Sequence, residues 1–211
     1  MKSFIVTISI AACVLFFNAC TKKEKKEGKT LSIGITSKVK GFDPIYANDR
    51  YSSNEIGRVY EGLLKFHYLK RPFTLAPNLA EDLPSVSEDS LTYTFKIKKG
   101  VMFQDDEAFS GGKGRELVAE DFVYSIKRLA DPKLQGLGWW LLDGKIAGLN
   151  EWRDKNASKS SVDYSEVIEG LKATDSHTLV FKLTKPFPQF LYSLAMAFTF
   201  AVPREDRKSV V

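Results

Sequence analysis

The spacing of apolar residues changes period several times along the chain, and each change marks an element. Leu31, Ile33 and Ile35 alternate with Ser32 and Gly34, the period of a strand. Gly41-Phe42-Asp43-Pro44 ends that pattern in a turn, because Pro44 fixes its own φ and pushes Asp43 out of the helical region. A polar loop runs from Ile45 to Tyr51. Beyond it Ile56, Val59, Tyr60, Leu63 and Leu64 fall at helical spacing. That spacing predicts a helix capped by Ser52 or Ser53, with Glu55 in its first turn and Gly62 weakening its end. Phe66 to Phe73 reads as extended, and Pro72, Pro77 and Pro84 punctuate a surface crossing.

The stretch from Leu75 to Pro132 carries the strongest local pattern. Tyr93, Phe95 and Ile97 share one face of a strand, followed by a turn at Lys99-Gly100, the apolar run Val101-Met102-Phe103 and an acidic, glycine-rich loop. A helix from about Ala119 to Ala130 is stopped by Asp131-Pro132. Trp139 and Trp140 are adjacent and cannot face the same side of a regular element, so one is expected in the core and the other lining something. A short helical piece covers Ile146 to Trp152. Leu171 and Ala173, the turn Asp175-Ser176-His177, and Leu179, Phe181 and Leu183 form a hairpin pattern. Pro186-Phe187-Pro188 opens a helix with Phe190, Leu191 and Leu194 on its apolar stripe, and Phe198 to Pro203 is extended. These elements read as a mixed α/β fold.

The first thirty residues follow different rules. Phe4 to Phe17 is nearly all apolar, then Asn18-Ala19-Cys20 leads into the polar run Lys22 to Lys29. An apolar run this short, ending at a small residue before a polar stretch, reads as a secretory signal rather than a spanning helix. Both cysteines, Cys13 and Cys20, lie here, so the rest of the chain has neither a disulfide nor thiol chemistry. The Ala19-Cys20 junction resembles a bacterial lipobox, which makes Cys20 the candidate lipidated residue and the membrane a partner through that anchor. Phe17 and Asn18 depart from the usual Leu and small residue. The upstream Ile10-Ala11-Ala12-Cys13 fits the small-residue rule better but would leave Val14 to Phe17 as an apolar stub. A free thiol in an uncleaved anchor is the third reading.

Composition adds little beyond this. A chain of 211 residues with 44% hydrophobic and 27% charged residues suits one sizeable domain or two small ones. Part of the net charge of +5 sits in Lys22 to Lys29, which mixes signs and has no aromatic residue. It reads as a solvated tether, and no nucleic-acid partner is expected. His67 and His177, the only histidines, lack partners at metal-ligand spacing, and no GxSxG elbow is present. Ser110 to Arg115 lacks the spacing of a phosphate loop, and Asp105-Asp106-Glu107 reads as a solvated loop more than a cation site. No catalytic residue, metal or cofactor is assigned, and nothing argues for an enzyme.

A series of motifs then carries a family resemblance. In order they are Phe42-Asp43-Pro44, Val59-Tyr60-Glu61-Gly62-Leu63-Leu64, Leu75-Ala76-Pro77-Asn78-Leu79-Ala80, Leu91 to Phe103 (LTYTFKIKKGVMF), Ala119 to Arg128 (AEDFVYSIKR), and Ala173 to Leu179 with Pro186-Phe187-Pro188. Together the chain resembles the extracellular solute-binding proteins of peptide ABC importers, the oligopeptide and dipeptide-binding family. Departures are Glu81-Asp82-Leu83, where the family has a Trp motif, Asp105-Asp106 followed by an inserted glycine-rich loop, and Val118, which replaces a capping Thr at a cost of about 1 kcal/mol.

The resemblance implies the following. The fold is α/β, the first lobe of a type II periplasmic binding protein, with a mixed sheet, helices and a small inserted α/β domain, and with the second lobe missing. The expected organisation is a signal peptide at 1–19, the lipidated Cys and tether at 20–30, the first lobe at 31–50, the inserted domain at 51–165, and a return to the first lobe at 166–211. The expected function is capture of short peptides outside the membrane for delivery to ABC permease subunits. Matching positions make Asn48, Asp49 and Arg50, and then Leu137, Trp139 and Trp140, the candidate ligand-binding residues. The alternatives are a same-fold protein for a nickel chelate, haem or an oligosaccharide, a surface lipoprotein without a transport role, and an inactive truncated product.

Overall fold

The computed structural model describes Gly28 and residues 31–205, so both cysteines and all of the tether run except Gly28 lie outside the described residues. Contacts divide the chain into a short unit ending at Thr36 and a second unit from Ser37 onward. In the first, Leu31, Ile33 and Ile35 are exposed and the segment forms no strand. The alternation that predicted a strand there fails for a physical reason. A strand needs a neighbour for its N–H and C=O groups, and among the described residues none pairs with this one.

The second unit packs helices and turns against an antiparallel sheet of four strands. In sequence order its elements are α1 (Arg50–Val59), β1 (Leu64–Phe66), β2 (Leu75–Pro77), β3 (Ser85–Val86), β4 (Thr92–Lys96), α2 (Ala119–Ala130), α3 (Leu149–Ala157), β5 (Leu171–Asp175), β6 (Thr178–Lys182) and α4 (Phe190–Ser193). Strands β1 and β2 form a separate hairpin, and the larger sheet runs β3-β4-β6-β5. The expected extended piece from Phe66 to Phe73 is thus the end of β1 and its turn. Tyr93, Phe95 and Ile97 all point into the core, as the alternation requires. Phe95 meets Phe181 edge-on at 5.9 Å, and Phe181 meets Phe190 at 5.3 Å, so β4, β6 and α4 share one aromatic seam.

Helix α2 is the central support, and all its residues except Glu120 are buried. Burying a polar group without a partner costs roughly 1–3 kcal/mol, so each polar side chain on it must be satisfied. Each is. Asp121 accepts two hydrogen bonds from Arg115, at 2.8 and 2.6 Å. Ser125 donates to the Asp121 carbonyl and accepts from the Val202 amide. Lys127 donates to the carbonyls of Tyr164 and Glu166. Burial holds the Lys127 ammonium below its usual pKa. The polar face of this helix therefore clamps two distant segments, at 164–166 and at Val202. At its start, Val118 offers no side-chain acceptor. The Asp121 carboxylate instead takes the Val118 N–H at 2.9 Å and the Ser176 carbonyl takes the Ala119 N–H at 2.8 Å, which offsets the missing cap.

Helix α1 differs from expectation at both ends. Its cap is Asp49, one oxygen of which accepts from the amides of Tyr51 (3.1 Å) and Ser52 (3.0 Å). Ser52 and Ser53 instead sit inside the first turn. Ser52 Oγ donates to Asp49 and Ser53 Oγ donates to the Ala47 carbonyl. The helix stops at Val59, which is exposed, so Leu63 and Leu64 are buried by the following segment and β1 rather than on a helical stripe. Gly62 lies outside the helix altogether. A Cβ there would sit 2.7 Å from the Phe200 ring, so close packing is what needs a glycine. Asn156, the first residue of the sequon Asn156-Ala157-Ser158, is fully buried and bonded to the Trp152 carbonyl, which closes it to modification.

Candidate functional site

The segments carrying the candidate ligand residues lie far apart in sequence and meet in space. The Leu137 amide donates to the Ile45 carbonyl at 2.9 Å, and the Tyr46 hydroxyl donates to the Leu134 carbonyl at 2.6 Å. Beneath them, Arg128 on α2 holds Asp43 through two bonds of 3.1 and 2.8 Å. Asp43 also accepts from the Ile45 amide, which starts the single 3₁₀ turn Pro44–Tyr46. Burial, and then the charge of Asp43, raise the Tyr46 pKa, so its phenol remains a donor at neutral pH.

Two glycines permit the approach. A Cβ on Gly136 would lie 3.0 Å from the Leu129 carbonyl and 3.5 Å from Ile45 Cβ, and one on Gly138 would lie 2.4 Å from the Phe198 ring. The Leu134–Leu142 segment therefore lies flat against the core and against the loop after Pro44.

On the first segment, Asn48 and Arg50 are exposed, while Asp49 is half-buried. The Asp49 carboxylate is occupied as the α1 cap and lies 3.6 Å from Lys40 Nζ. The bond from the Ser52 amide, first among several, holds its pKa below the ordinary range. On the second segment, Leu137 is exposed. Trp139 opens a 3₁₀ turn and packs on the core, with the Arg153 guanidinium 4.8 Å above its ring. Trp140 is 60% exposed. Trp139 is thus the member of the pair that packs on the core, and Trp140 is exposed. Sequence reasoning passed over Phe42 and Tyr46, aromatic residues that are also substantially exposed beside Asp43-Pro44. Their signal was the flanking of a buried Asp-Pro by two aromatics.

A cavity of about 310 Å³ lies elsewhere, lined by Tyr60, Glu61, Val101, Phe103, Phe109 and Pro203 among others, and none of the candidate ligand residues lines it. The acidic loop is tied to itself. Asp105 pairs with Lys113 and accepts from the Gly114 amide, and Asp106 accepts from the Ala108 amide. Among the described residues no group of three or more His, Cys, Asp or Glu side chains could hold a metal ion.

Residues 74–209 match the model of the bacterial extracellular solute-binding proteins, family 5, middle region. The chain belongs to this family. Among curated family 5 relatives, the oligopeptide-binding protein AmiA of Streptococcus pneumoniae is 34% identical over 148 residues, covering 70% of this chain and 18% of AmiA. A dipeptide-binding protein of Lactococcus lactis is 32% identical over 186 residues, covering 88% of this chain and 30% of its own length. In structure, the pheromone receptor PrgZ aligns over 81% of this chain and 30% of its own, with a TM-score of 0.62 and 25% identity. The murein tripeptide binding protein MppA of Escherichia coli aligns over 80% of this chain and 30% of its own, with a TM-score of 0.59 and 25% identity. The chain spans about a third or less of these relatives, so its α/β fold is that of a partial family 5 lobe.

Proposed function

We propose that this protein is the substrate-binding component of an ABC importer and captures short peptides outside the membrane for its permease. One observation supports the reading most. In a chain whose family 5 relatives are named for peptide binding, two candidate ligand segments are fastened by the Leu137–Ile45 and Tyr46–Leu134 bonds and present exposed apolar and polar side chains. A protein that accepts many sequences gains affinity from the peptide main chain and leaves side-chain pockets roomy and hydrated. Asn48 and Arg50 supply polar contacts, and Leu137 and Trp140 supply apolar surface. Asp49 serves by fixing the loop as a helix cap, and Trp139 by holding the turn on the core. The anchors for peptide termini lie in the second lobe, which closes over this one. The lobe boundaries near residues 50 and 165 belong to the same proposal.

The protein has no enzymatic role in this reading. It is exported and held at the envelope by lipid on Cys20. Mass spectrometry of peptides released by mild acid from the purified full-length protein tests the ligand class. A mixture of short peptides supports the proposal, and a nickel chelate, haem or oligosaccharide in their place contradicts it.

A further inference from the structure

The turn between β1 and β2, residues 67–74 (His-Tyr-Leu-Lys-Arg-Pro-Phe-Thr), is not an ordinary polar hairpin tip. Tyr68 is 87% exposed and Leu69 77% exposed. The turn is also held together by its own bonds. His67 Nδ1 accepts from the amides of Leu69 and Lys70, and the His67 amide donates to the Thr74 carbonyl at 2.8 Å. Arg71 Nη1 donates to the carbonyls of Tyr68 and Lys70. Its guanidinium lies 4.3 Å over the Phe73 ring, and Phe73 meets Phe66 edge-on at 6.1 Å. Two apolar side chains are therefore displayed on a fixed base rather than left loose.

The charge along the hairpin has one sign. From Gly62 to Ala80 there is no Asp or Glu, and among the described residues Lys65, Lys70 and Arg71 have no carboxylate partner. Apolar residues at the point, an aromatic ring with a polar end, and unpaired cations behind them match a bilayer surface carrying anionic headgroups. The apolar pair enters the interface, the tyrosine hydroxyl stays at headgroup level, and the cations meet the phosphates. We propose that this hairpin tip docks on an anionic membrane surface. Anchored at Cys20, the roughly twenty residues to Lys40 span at most about 70 Å, so the folded unit has the reach to lie on the membrane that holds it. That last step rests on the lipidation reading, but the hairpin's own binding does not.

The test is sedimentation of the full chain with vesicles of phosphatidylcholine containing about a third phosphatidylglycerol, and with pure phosphatidylcholine vesicles. The apolar leader is common to every variant, so differences report the hairpin. Preferential binding to the anionic vesicles, weakening with salt, is expected. Replacing Lys65 and Lys70 together by Gln, which leaves the Arg71 bonds of the turn in place, should lower partitioning about thirtyfold. Tyr68→Ser with Leu69→Ser should lower it about tenfold, and all these variants should unfold at the wild-type temperature because the side chains are exposed. Bromine-labelled lipid should quench the added fluorescence of Tyr68→Trp. Equal partitioning of all variants, no preference for anionic vesicles, or an unquenched Tyr68→Trp would each overturn the proposal. So would hairpin variants that lose a protein partner while vesicle binding is unchanged.

Discussion

Arg128 and Asp43 lie 85 positions apart in sequence and form a buried two-bond ion pair that joins the last turn of α2 to the loop carrying half of the candidate site. Removing one partner of such a pair leaves an uncompensated buried charge, which costs about 3–5 kcal/mol. Asp43→Ala should therefore lower unfolding free energy by that amount in urea titration. Asp43→Ala combined with Arg128→Met should recover part of the loss. If the single and double variants are equally destabilised, the pair is not what holds the loop.

The two tryptophans should separate stability from binding. Trp139 lies on the core under Arg153, and Trp140 is largely exposed. Trp139→Ala should cost about 2 kcal/mol in thermal unfolding. Trp140→Ala should leave stability within about 0.5 kcal/mol and weaken peptide affinity of the full-length protein about tenfold. The reverse pattern would exchange their roles.

How much of this was legible in the sequence depended on range. Helix α2 and the β5–β6 hairpin follow from local periodicity and end where Asp131-Pro132 and Asp175-Ser176-His177 say they should. The cap of α1 was missed because Asp, Ser and Ser at positions 49, 52 and 53 are all good caps, and only the backbone decides which one stands first. Leu31 to Ile35 has the period of a strand, but period alone cannot supply a partner. The candidate segments were named from resemblance. Their meeting through Leu137 and Ile45 is a long-range fact carried by Gly136, Gly138 and the Arg128–Asp43 pair, none of which shows a local pattern.

Tyr164 makes a pH-dependent contribution. Burial first, and then the hydrogen bond to Asp131 and that residue's charge, push its phenol well above the usual range. The folded protein keeps this proton where the unfolded chain releases it, near pH 10. The contribution is thus complete below about pH 10 and is lost as pH rises further. Denaturant unfolding from about pH 8 to about pH 11.5 should show the wild-type advantage over Tyr164→Phe shrinking across the alkaline end. An advantage independent of pH would contradict it.

Lipidation at Cys20 should make the expressed protein partition into detergent in a phase-separation assay. Cys20→Ser should move it to the aqueous phase, and Cys13→Ser should not. The opposite result would move the anchor to Cys13.

Peptide capture itself is tested most directly by isothermal calorimetry of this chain extended to the full length of its relatives, against a mixed library of tripeptides to pentapeptides. We expect saturable heat with micromolar or tighter affinity, and about a tenfold loss with Trp140→Ala. We expect only weak binding by the 211-residue chain alone, which carries a third or less of its relatives' length. No heat with any peptide at the full length would contradict the proposed function.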